Sequence, residues 1–248
     1  MPDVRANREY WNRISAGYQR EHDPQIGAAP RLWGCFSIPD SDLGALGDVA
    51  GLRVLELGCG AGQWSRVLAG EGAEIVGFDL SDAQLRAAKT AMRAARFPLV
   101  QGAAEWLPFA SACFDLVFCD HGGLSWAPPE LAVPEAARVL RPAGRLVFNG
   151  SSPWLLACYD DESDRLTPRL RHDYFGGSAV PEGDGASTYA LGYGGWIRTL
   201  RAAGLVIDDL IEPRPGPGTY SSYLECEPPD WASRWPCEAL WVAHKPPH

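Results

Sequence analysis

The sequence predicts an α/β protein with a doubly wound, mostly parallel sheet of seven strands, preceded by a helical lid and interrupted by an inserted cap. Two observations support this fold. Short apolar runs alternate with helical stretches from residue 52 to residue 150, which is typical of a parallel sheet covered by helices. A glycine-rich turn directly follows the first apolar run, at the position where such sheets bind ligands.

The first part of the chain predicts the lid. Residues 5–22 form an amphipathic pattern in which Tyr10, Ile14 and Tyr18 recur at four-residue spacing, and we expect a helix there. A connection rich in Gly and Pro follows, to about residue 50.

The central part of the chain predicts five strands and two helices. The strands are "LRVLELG", "AEIVGFDLS", "PLVQGAAE", "FDLVFCD" and "RLVFNGS". The first helix, "SDAQLRAAKTAMRAARF", opens on a capping box formed by Ser81 and Gln84. The second, "PEAARVLRPAG", has Pro134 in its first turn.

The alternation of strands and helices stops after residue 151. Residues 151–190 are rich in aromatic residues, Gly and Asp and are too long for an ordinary connection, so they predict a cap. The pattern resumes with a helix, "GGWIRTLRAAGL", and two strands, "VIDDLIEP" and a final antiparallel "ALWVAHKP". We therefore divide the chain into four parts: the lid (1–45), the ligand-binding core (46–150), the cap (151–192) and a C-terminal completion of the core sheet (193–248).

Composition limits the partners and the compartment. Lys and Arg total 22 against 31 Asp and Glu, a net charge of −9, which disfavours nucleic acid as a partner. No apolar run reaches the roughly 18–20 residues of a membrane span, and the first residues do not resemble a signal peptide. Seven cysteines without a Cys-x-x-Cys pair favour free thiols. We expect a cytoplasmic protein with no nucleic-acid or membrane partner, and the sequence leaves its oligomeric state open.

The glycine-rich turn predicts a nucleotide-type ligand. Gly58, Gly60 and Gly62 separate a buried strand from a helix, which lets the backbone approach a ligand closely. Asp79 ends the next strand, 21 residues after Gly58, where its carboxylate can accept hydrogen bonds from both hydroxyls of a ribose. These features fit NAD and S-adenosylmethionine equally well.

Three details separate the two ligands. Gln63 stands where the dinucleotide fingerprint has a third Gly or an Ala. Glu56, two residues before the first Gly, is unfavourable beside a pyrophosphate but suits the ammonium and sulfonium charges of S-adenosylmethionine. No Lys or Arg occurs between positions 54 and 65 to meet a phosphate. The sequence therefore favours S-adenosylmethionine over NAD, with a turn that binds no ligand as the simplest alternative.

Several segments together resemble one known family. "VLELGCGAGQW", "VGFDLS", "GAAEWLPFASACFDLVFCD" and "EAARVLRPAGRLVF" resemble the ordered motifs of class I S-adenosylmethionine-dependent methyltransferases, particularly the small-molecule group similar to ubiquinone and menaquinone biosynthesis enzymes. The helix "YWNRISAGYQREH" resembles the lid of that group. The resemblance covers residues 7–150 well and the rest by strand order. It implies a Rossmann-like sheet and methyl transfer to a small molecule.

The resemblance also implies which residues contact the cofactor, in addition to Glu56. They are Gly58, Cys59, Gly60, Gly62, Asp79, Leu80, Ala104, Glu105, Asp120, Tyr10 and Tyr18. Among them Asp79 would hold the ribose, Leu80 would lie against the adenine, and Asp120 would lie between cofactor and substrate. One departure stands out: Ala103 replaces an Asp that often meets the adenine amino group, so we expect somewhat weaker cofactor affinity.

Two histidines are candidate catalytic residues. His121 follows the fourth strand at the ligand-binding edge of the sheet, where it could act as a base or orient the substrate, and a structural role stays open. His172, in the cap, has Asp173 beside it, although adjacent side chains often diverge. Aromatic residues in the lid and the cap favour an apolar or aromatic acceptor. The acceptor molecule and atom are not written in the sequence.

Alternatives from other classes stay open. The chain could be a S-adenosylmethionine-binding module without catalytic activity, or an NAD-dependent oxidoreductase, which Gln63 and Glu56 disfavour. We predict no metal, because Asp120 alone is a weak metal site.

Overall fold

The N-terminal part of the chain lies outside the main sheet. The computed structural model describes residues 2–26, 31–92, 96–176 and 179–247. Here the predicted lid helix is confirmed and is longer than its pattern, and a small antiparallel hairpin and a short helix follow it. These elements are α1 (Pro2–Ile26), β1 (Leu32–Trp33), β2 (Ile38–Pro39) and α2 (Asp40–Leu43).

The remaining elements alternate as expected, with additional short strands in the cap. Those of the core are β3 (Arg53–Leu57), α3 (Gln63–Gly70), β4 (Glu74–Asp79), α4 (Asp82–Ala91), β5 (Leu99–Gln101), β6 (Phe114–Asp120), α5 (Pro129–Val139) and β7 (Leu140–Ser151). The later ones are α6 (Pro153–Cys158), β8 (Tyr159–Asp160), β9 (Arg165–Leu166), β10 (Ala179–Pro181), β11 (Ser187–Tyr189), α7 (Tyr193–Ala202), β12 (Val206–Ile211), α8 (Trp231–Arg234) and β13 (Glu238–His244). None of the described helices is long and apolar enough to cross a membrane.

Seven strands form the main sheet in the order β12-β13-β7-β6-β3-β4-β5. The five strands from β7 to β5 are parallel, and β13 runs antiparallel to both of its neighbours, β7 and β12. The predicted doubly wound, mostly parallel, Rossmann-like sheet is therefore confirmed. The chain winds outward in opposite directions from the adjacent strands β3 and β6, so the crevice at their carboxyl ends is where such a sheet binds ligands.

Buried strands explain the near-continuous apolar runs of the sequence. Because β3 and β6 have helices on both faces, neighbouring residues pack into opposite core layers. Leu55 and Val117 belong to the layer under α5 and α7, whereas Val54 and Leu116 belong to the layer that contains Trp33 of the N-terminal hairpin. Packing in these two layers holds β3 and β6 in place, and with them the polar residues at their carboxyl ends.

Two helix boundaries bear on the sequence predictions. The capping box is confirmed, since Ser81 Oγ accepts a hydrogen bond from Gln84 N at 3.1 Å. The placement of Pro134 in a first turn is wrong: α5 begins at Pro129, and Pro134 lies inside the helix. Proline is favoured at the first helical position, and here Pro129 takes it. The end of the predicted helix after Ala91 includes residues 93–95, which lie outside the described residues.

Candidate active site

A cavity of about 1000 Å³ opens at the carboxyl ends of β3 and β6, between the lid and the cap. This volume is at the upper end of the roughly 300–1,000 Å³ of ligand sites in proteins, so it can hold more than one small molecule. Residues of the glycine turn line one side, and His121 lines the wall beside them. Tyr18 from the lid and Tyr189 from the cap line the opposite walls.

The glycine turn has the backbone conformation that its sequence predicts. Gly58, Gly60 and Gly62 all have positive φ, at 79°, 53° and 72°. Residues with a side chain rarely adopt this conformation. The backbone N–H groups of Gly58 and Cys59 both donate to Phe78 O, which ties the turn to β4.

Glu56 places a buried carboxyl group in the wall of the cavity at the end of β3. Burial raises its pKa to about 8, although a hydrogen bond from Ser65 Oγ opposes the rise. Arg31 also lines the cavity, but its guanidinium donates hydrogen bonds to Glu71 and to Gly47 O. Burial thus favours the neutral form of the Glu56 carboxyl group. A ligand with an ammonium group would supply the positive charge that favours its ionised form.

Asp79 shapes the turn through hydrogen bonds from two backbone N–H groups. Its Oδ2 accepts from Gly60 N and its Oδ1 from Ser81 N, each at 2.8 Å. Burial raises the pKa of Asp79 to about 6, and these backbone N–H groups oppose the rise. Each carboxylate oxygen has a further lone pair, so the residue fits the predicted hydrogen bonds to ribose hydroxyls.

The lid helix lies over this end of the site. Ser81 Oγ donates to Asn12 Oδ1 at 2.7 Å, and Gln19 Nε2 donates to Gln84 Oε1 at 3.0 Å, so α1 is hydrogen-bonded to the start of α4. Asp79 and the three positions predicted at the adenine do not line the main cavity. Those three are Leu80, which is partly buried, and Ala104 and Glu105, which are buried.

The two lid tyrosines have different surroundings. Tyr18 lines the cavity, its ring meets Trp11 edge-on at 5.1 Å, and burial raises its pKa to about 12. Tyr10 is absent from the described cavity lining and stacks on Trp126 with ring centroids 5.5 Å apart. Tyr18 is thus placed to touch a ligand, whereas Tyr10 attaches the lid to the loop after β6.

Asp120 ends β6 in a network of N–H donors. Its Oδ2 accepts from Gly34 N and its Oδ1 from Asn149 Nδ2, both at 3.0 Å. Burial raises the pKa of Asp120, while the nearby His121 opposes that rise. Asn149 lies directly opposite on β7, a position that the sequence analysis did not single out.

His121, the first catalytic candidate, lies in a network of polar groups. It is strained, with φ of 50°, and its backbone N donates to Asn149 O at 3.1 Å. Its Nε2 lies 2.5 Å from Oε1 of Glu238, the first residue of β13. Sequence reasoning missed Glu238, whose only signal is a charge at the start of an otherwise apolar strand.

The electrostatics of this pair favour a charged imidazole. Burial alone would lower the pKa of His121, but the hydrogen bond and negative charge of Glu238, together with the charge of Asp120, raise it above its ordinary value. Burial likewise opposes ionisation of Glu238, yet the hydrogen bond from His121 holds the pKa of Glu238 below its ordinary value.

One acidic or imidazole atom from each of Asp120, His121 and Glu238 lies within 4.8 Å of the others. The prediction of no metal assumed that Asp120 stands alone, and the structure adds two polar neighbours to it. As arranged, however, each carboxylate already accepts hydrogen bonds from at least two N–H donors. These contacts favour a role in proton binding over a role in metal binding.

His172, the second catalytic candidate, also lines the cavity, from the cap. Its Nε2 lies 3.4 Å from Asp161 Oδ2. The carboxylate beside it in space is therefore Asp161, whereas the sequence suggested its neighbour Asp173. His172 therefore lies on the cap side of the cavity, and no hydrogen bond among the described residues joins it to the network around His121.

Comparisons with known proteins agree with this geometry. The family defined as "Methyltransferase domain" matches residues 55–148, from β3 into β7. A ubiquinone/menaquinone biosynthesis C-methyltransferase of Yersinia enterocolitica is 32% identical over 174 residues, which cover 65% of this chain and 67% of that protein. The chain belongs to the class I S-adenosylmethionine-dependent methyltransferases. S-adenosylmethionine is the cofactor of this family, as the glycine turn and Glu56 predicted.

Other relatives differ in their acceptors. A demethylmenaquinone methyltransferase of Lactococcus lactis is 32% identical over 159 residues, which cover 61% of each chain, so the match spans less than two thirds of that enzyme. A malonyl-[acyl-carrier protein] O-methyltransferase of Herminiimonas arsenicoxydans is 41% identical over 98 residues, which cover 39% of this chain and 36% of that protein.

Solved structures extend the likeness beyond the core. A protein of Listeria monocytogenes assigned as an S-adenosylmethionine-dependent methyltransferase superposes with a TM-score of 0.68 at 25% identity, over 83% of this chain and 97% of that one. The [4+2]-cyclase SpnF has the same TM-score at 18% identity and covers 98% and 97% of the two chains. At 18% identity, the match to the cyclase shows a shared fold and no shared activity.

Proposed function

We propose that this methyltransferase transfers a methyl group from S-adenosylmethionine to a small, apolar or aromatic acceptor. The observation that carries the proposal is one continuous cavity. It joins the glycine turn and Glu56 to His121 and to a wall of aromatic side chains from the sheet, the lid and the cap.

The cofactor end is supported by complementary charge and shape. S-adenosylmethionine supplies a methyl group activated by the positive charge of its sulfur. The Glu56 carboxylate would pair with the ammonium group, and the Gly58–Gly60 backbone would lie against the methionine chain. Asp79 would hold the ribose, with Leu80, Ala104 and Glu105 around the adenine.

The acceptor end is supported by its apolar lining. Phe148, Trp196 and Trp241 from the core, with Tyr189 from the cap and Tyr223 from the segment before β13, surround the space beyond His121. Aromatic walls favour a flat, apolar acceptor and exclude water, which helps a reaction whose transition state disperses charge. Fixing the acceptor in line with the methyl group would supply much of the rate.

His121 is our candidate for the general base, because it lines the same cavity as the glycine turn and the aromatic wall and contacts Glu238. His172 would orient the acceptor from the cap. We also propose that the enzyme acts in the cytoplasm and without nucleic acid. The seven free cysteines and the net charge of −9 support that view.

Calorimetry and a product assay test the proposal. Purified protein should bind S-adenosylmethionine and S-adenosylhomocysteine with micromolar or tighter affinity and give no signal with NAD. A panel of hydroxylated aromatic compounds, quinols and aliphatic carboxylic acids should then contain a compound that triggers S-adenosylhomocysteine release. Tighter binding of NAD would overturn the cofactor assignment in this chain.

One other function has a specific observation in its favour. The likeness to a [4+2]-cyclase means that this fold also occurs in a protein named for another reaction. Binding of S-adenosylmethionine without release of S-adenosylhomocysteine across the panel would favour that class, or a binding module without catalytic activity.

A further inference from the structure

We propose that Glu238 is a positioning residue that works through His121, and that the two side chains form a carboxylate–imidazole dyad which removes a proton from the acceptor. The inference builds on the proposed methyl transfer and narrows it. The acceptor must be a molecule that gives up a proton as it is methylated, such as a hydroxyl compound, an N–H compound or a carbon acid.

Glu238 is held more rigidly than a surface carboxylate. Its side chain is 1% exposed, and its Oε1 accepts from Cys35 N and Asn149 Nδ2, both at 3.0 Å. A Cβ added to Gly34 would lie 2.1 Å from the same oxygen, so the backbone of the hairpin presses against the carboxylate. Three separate parts of the chain therefore fix this group: the hairpin, β7 and β13.

His121 stands between that buried carboxylate and the cavity. Its side chain is 35% exposed and lines the cavity, whereas Glu238 does not line it. The contact with Glu238 uses Nε2, and Nδ1 has no hydrogen-bond partner among the described residues. A carboxylate that accepts a hydrogen bond from Nε2–H fixes the neutral tautomer in which Nε2 keeps its proton and Nδ1 carries the lone pair. His121 is thus prepared to receive a proton on Nδ1.

The charges around the ring fit a proton acceptor. Asp120 on its own strand and Glu238 on β13 are the carboxyl groups that face it. The other titratable groups nearby are Cys35, which contacts Glu238, and Tyr18 and Tyr223, which feel the charge of Asp120. Burial raises the pKa of all three, so they stay neutral at physiological pH. Within the part of the chain that the structure describes, an imidazolium at position 121 would face two carboxyl groups and no second cation.

The proposed step balances in atoms and charge. The acceptor atom forms a bond to the methyl carbon while the bond between that carbon and sulfur breaks, and the electron pair of the broken bond stays on sulfur. The acceptor proton passes to Nδ1 of His121. One positive charge therefore disappears from sulfur and one appears on the imidazole, where Glu238 stabilises it.

The first test reads the dyad directly, without any acceptor. Protein labelled with ¹³C and ¹⁵N in histidine is titrated by NMR, and His121→Gln identifies the signal of His121. We expect a His121 pKa above 6.5 and, at higher pH, the neutral tautomer protonated on Nε2. A neutral ring protonated on Nδ1 would overturn the proposal, and this readout needs no variant of Glu238.

The second test removes the charge of Glu238. Glu238→Gln keeps an oxygen that can accept from Cys35 N and Asn149, and we expect it to lower the His121 pKa by at least one unit. The control is Asp208→Asn, which alters a histidine–carboxylate pair outside the site, where Asp208 Oδ1 lies 2.7 Å from His244 Nδ1. It should leave the His121 titration unchanged. An unchanged titration in Glu238→Gln would overturn the proposal.

The third test uses the acceptor found in the panel. Glu238→Gln should lower kcat about 100-fold and move the rising limb of its pH profile to lower pH, with binding of S-adenosylmethionine changed less than twofold. A normal kcat and pH profile would refute the dyad while leaving methyl transfer intact. Wild-type protein that binds no S-adenosylmethionine would instead refute the proposed function. Added MgCl₂ or EDTA should change nothing, and activity that requires the cation would show that these groups hold a metal.

Discussion

Gly58 and Gly122 lie backbone against backbone: a Cβ added to Gly58 would be 2.5 Å from Gly122 Cα and 2.4 Å from Gly123 N. A Cβ on Gly122 would in turn be 2.3 Å from Leu57 O. The glycine turn after β3 and the loop after β6 therefore form one unit. That unit fixes His121, which directly precedes Gly122, relative to the cofactor end of the cavity.

Gly58→Ala should lower both stability and cofactor affinity. The left-handed conformation costs a side chain about 1–2 kcal/mol and the overlap with Gly122 about 1–3 kcal/mol more, so we expect a free energy of unfolding lower by about 2–5 kcal/mol. Urea denaturation measures it. Gly60→Ala is the matched control, because φ is also positive but the nearest heavy atom is 4.0 Å from the added Cβ. Equal losses in both variants would contradict the role of the contact.

Asp79→Ala should weaken binding of S-adenosylmethionine by about 1.5–3 kcal/mol, roughly 10- to 150-fold, through lost charge-assisted hydrogen bonds. Part of the loss arises in the free protein, because Gly60 N and Ser81 N lose their acceptor. Asp79→Asn keeps one oxygen for these groups and should lose less. Calorimetry measures both, and an unaltered affinity in Asp79→Ala would remove Asp79 from the site.

Binding of S-adenosylmethionine should strengthen as pH rises. Because the pKa of Glu56 is about 8 in the free protein, its carboxyl group is mostly neutral at pH 6 and must lose a proton to pair with an ammonium. The affinity should therefore rise about ninefold from pH 6 to pH 7, about fivefold from pH 7 to pH 8, and level off above pH 8. Calorimetry in two buffers of different ionisation enthalpy measures the released proton. Glu56→Gln should keep only the rise of about twofold above pH 6 that the ionisation of Asp79 gives. A wild type without the larger rise would be inconsistent with a pairing role of Glu56.

His121→Gln should separate turnover from binding. We expect kcat to fall about 100-fold, as for a lost general base, while the Kd of S-adenosylmethionine stays within about twofold. His172→Gln is the comparison, because His172 lines the cap side of the cavity and should mainly raise the KM of the acceptor. Steady-state rates of S-adenosylhomocysteine release measure kcat and KM, and calorimetry measures the Kd of S-adenosylmethionine. A normal kcat in His121→Gln would leave that residue with a structural role alone.

Asn7→Ala should loosen the lid. The Asn7 amide is 1% exposed, donates to Trp126 O and Ser187 O, and accepts from Ser187 N. Its loss leaves these backbone groups without a partner, at about 1–3 kcal/mol. We expect faster dissociation of S-adenosylmethionine in stopped-flow experiments and faster hydrogen exchange in α1. Glu9→Ala, which removes only an exposed ion pair with Arg5, is the control and should match the wild type.

The sequence was sufficient where the signals are local. Apolar runs, the Ser81 cap and the spacing of Gly58 from Asp79 lie within a few residues or one strand–helix unit, so the sheet and the identity of the cofactor could be predicted. The start of α5 was predicted wrongly at Pro134. Pro129 and Pro134 are both compatible with a first turn, and only packing selects the earlier start.

The part of the site that sequence reasoning missed depends on long-range register. Glu238 lies 117 residues from His121, and the two meet because β13 enters the sheet beside β7 with Glu238 opposite Ser151. Asn149 joins the network because its strand places it opposite Asp120. The sequence also paired His172 with Asp173, whereas the fold of the cap brings Asp161 to it. A single sequence carries no signal for these pairings.

The lid helix touches both rims of the cavity. Its Asn12 and Gln19 bind the start of α4 on the cofactor side, Asn7 binds β11 on the cap side, and Gln25 binds Ser222 in the segment before β13. One helix therefore borders both sides of the opening. We expect α1 to move as a unit when either cofactor or acceptor enters or leaves, so that the order of binding and release would depend on its contacts with both rims.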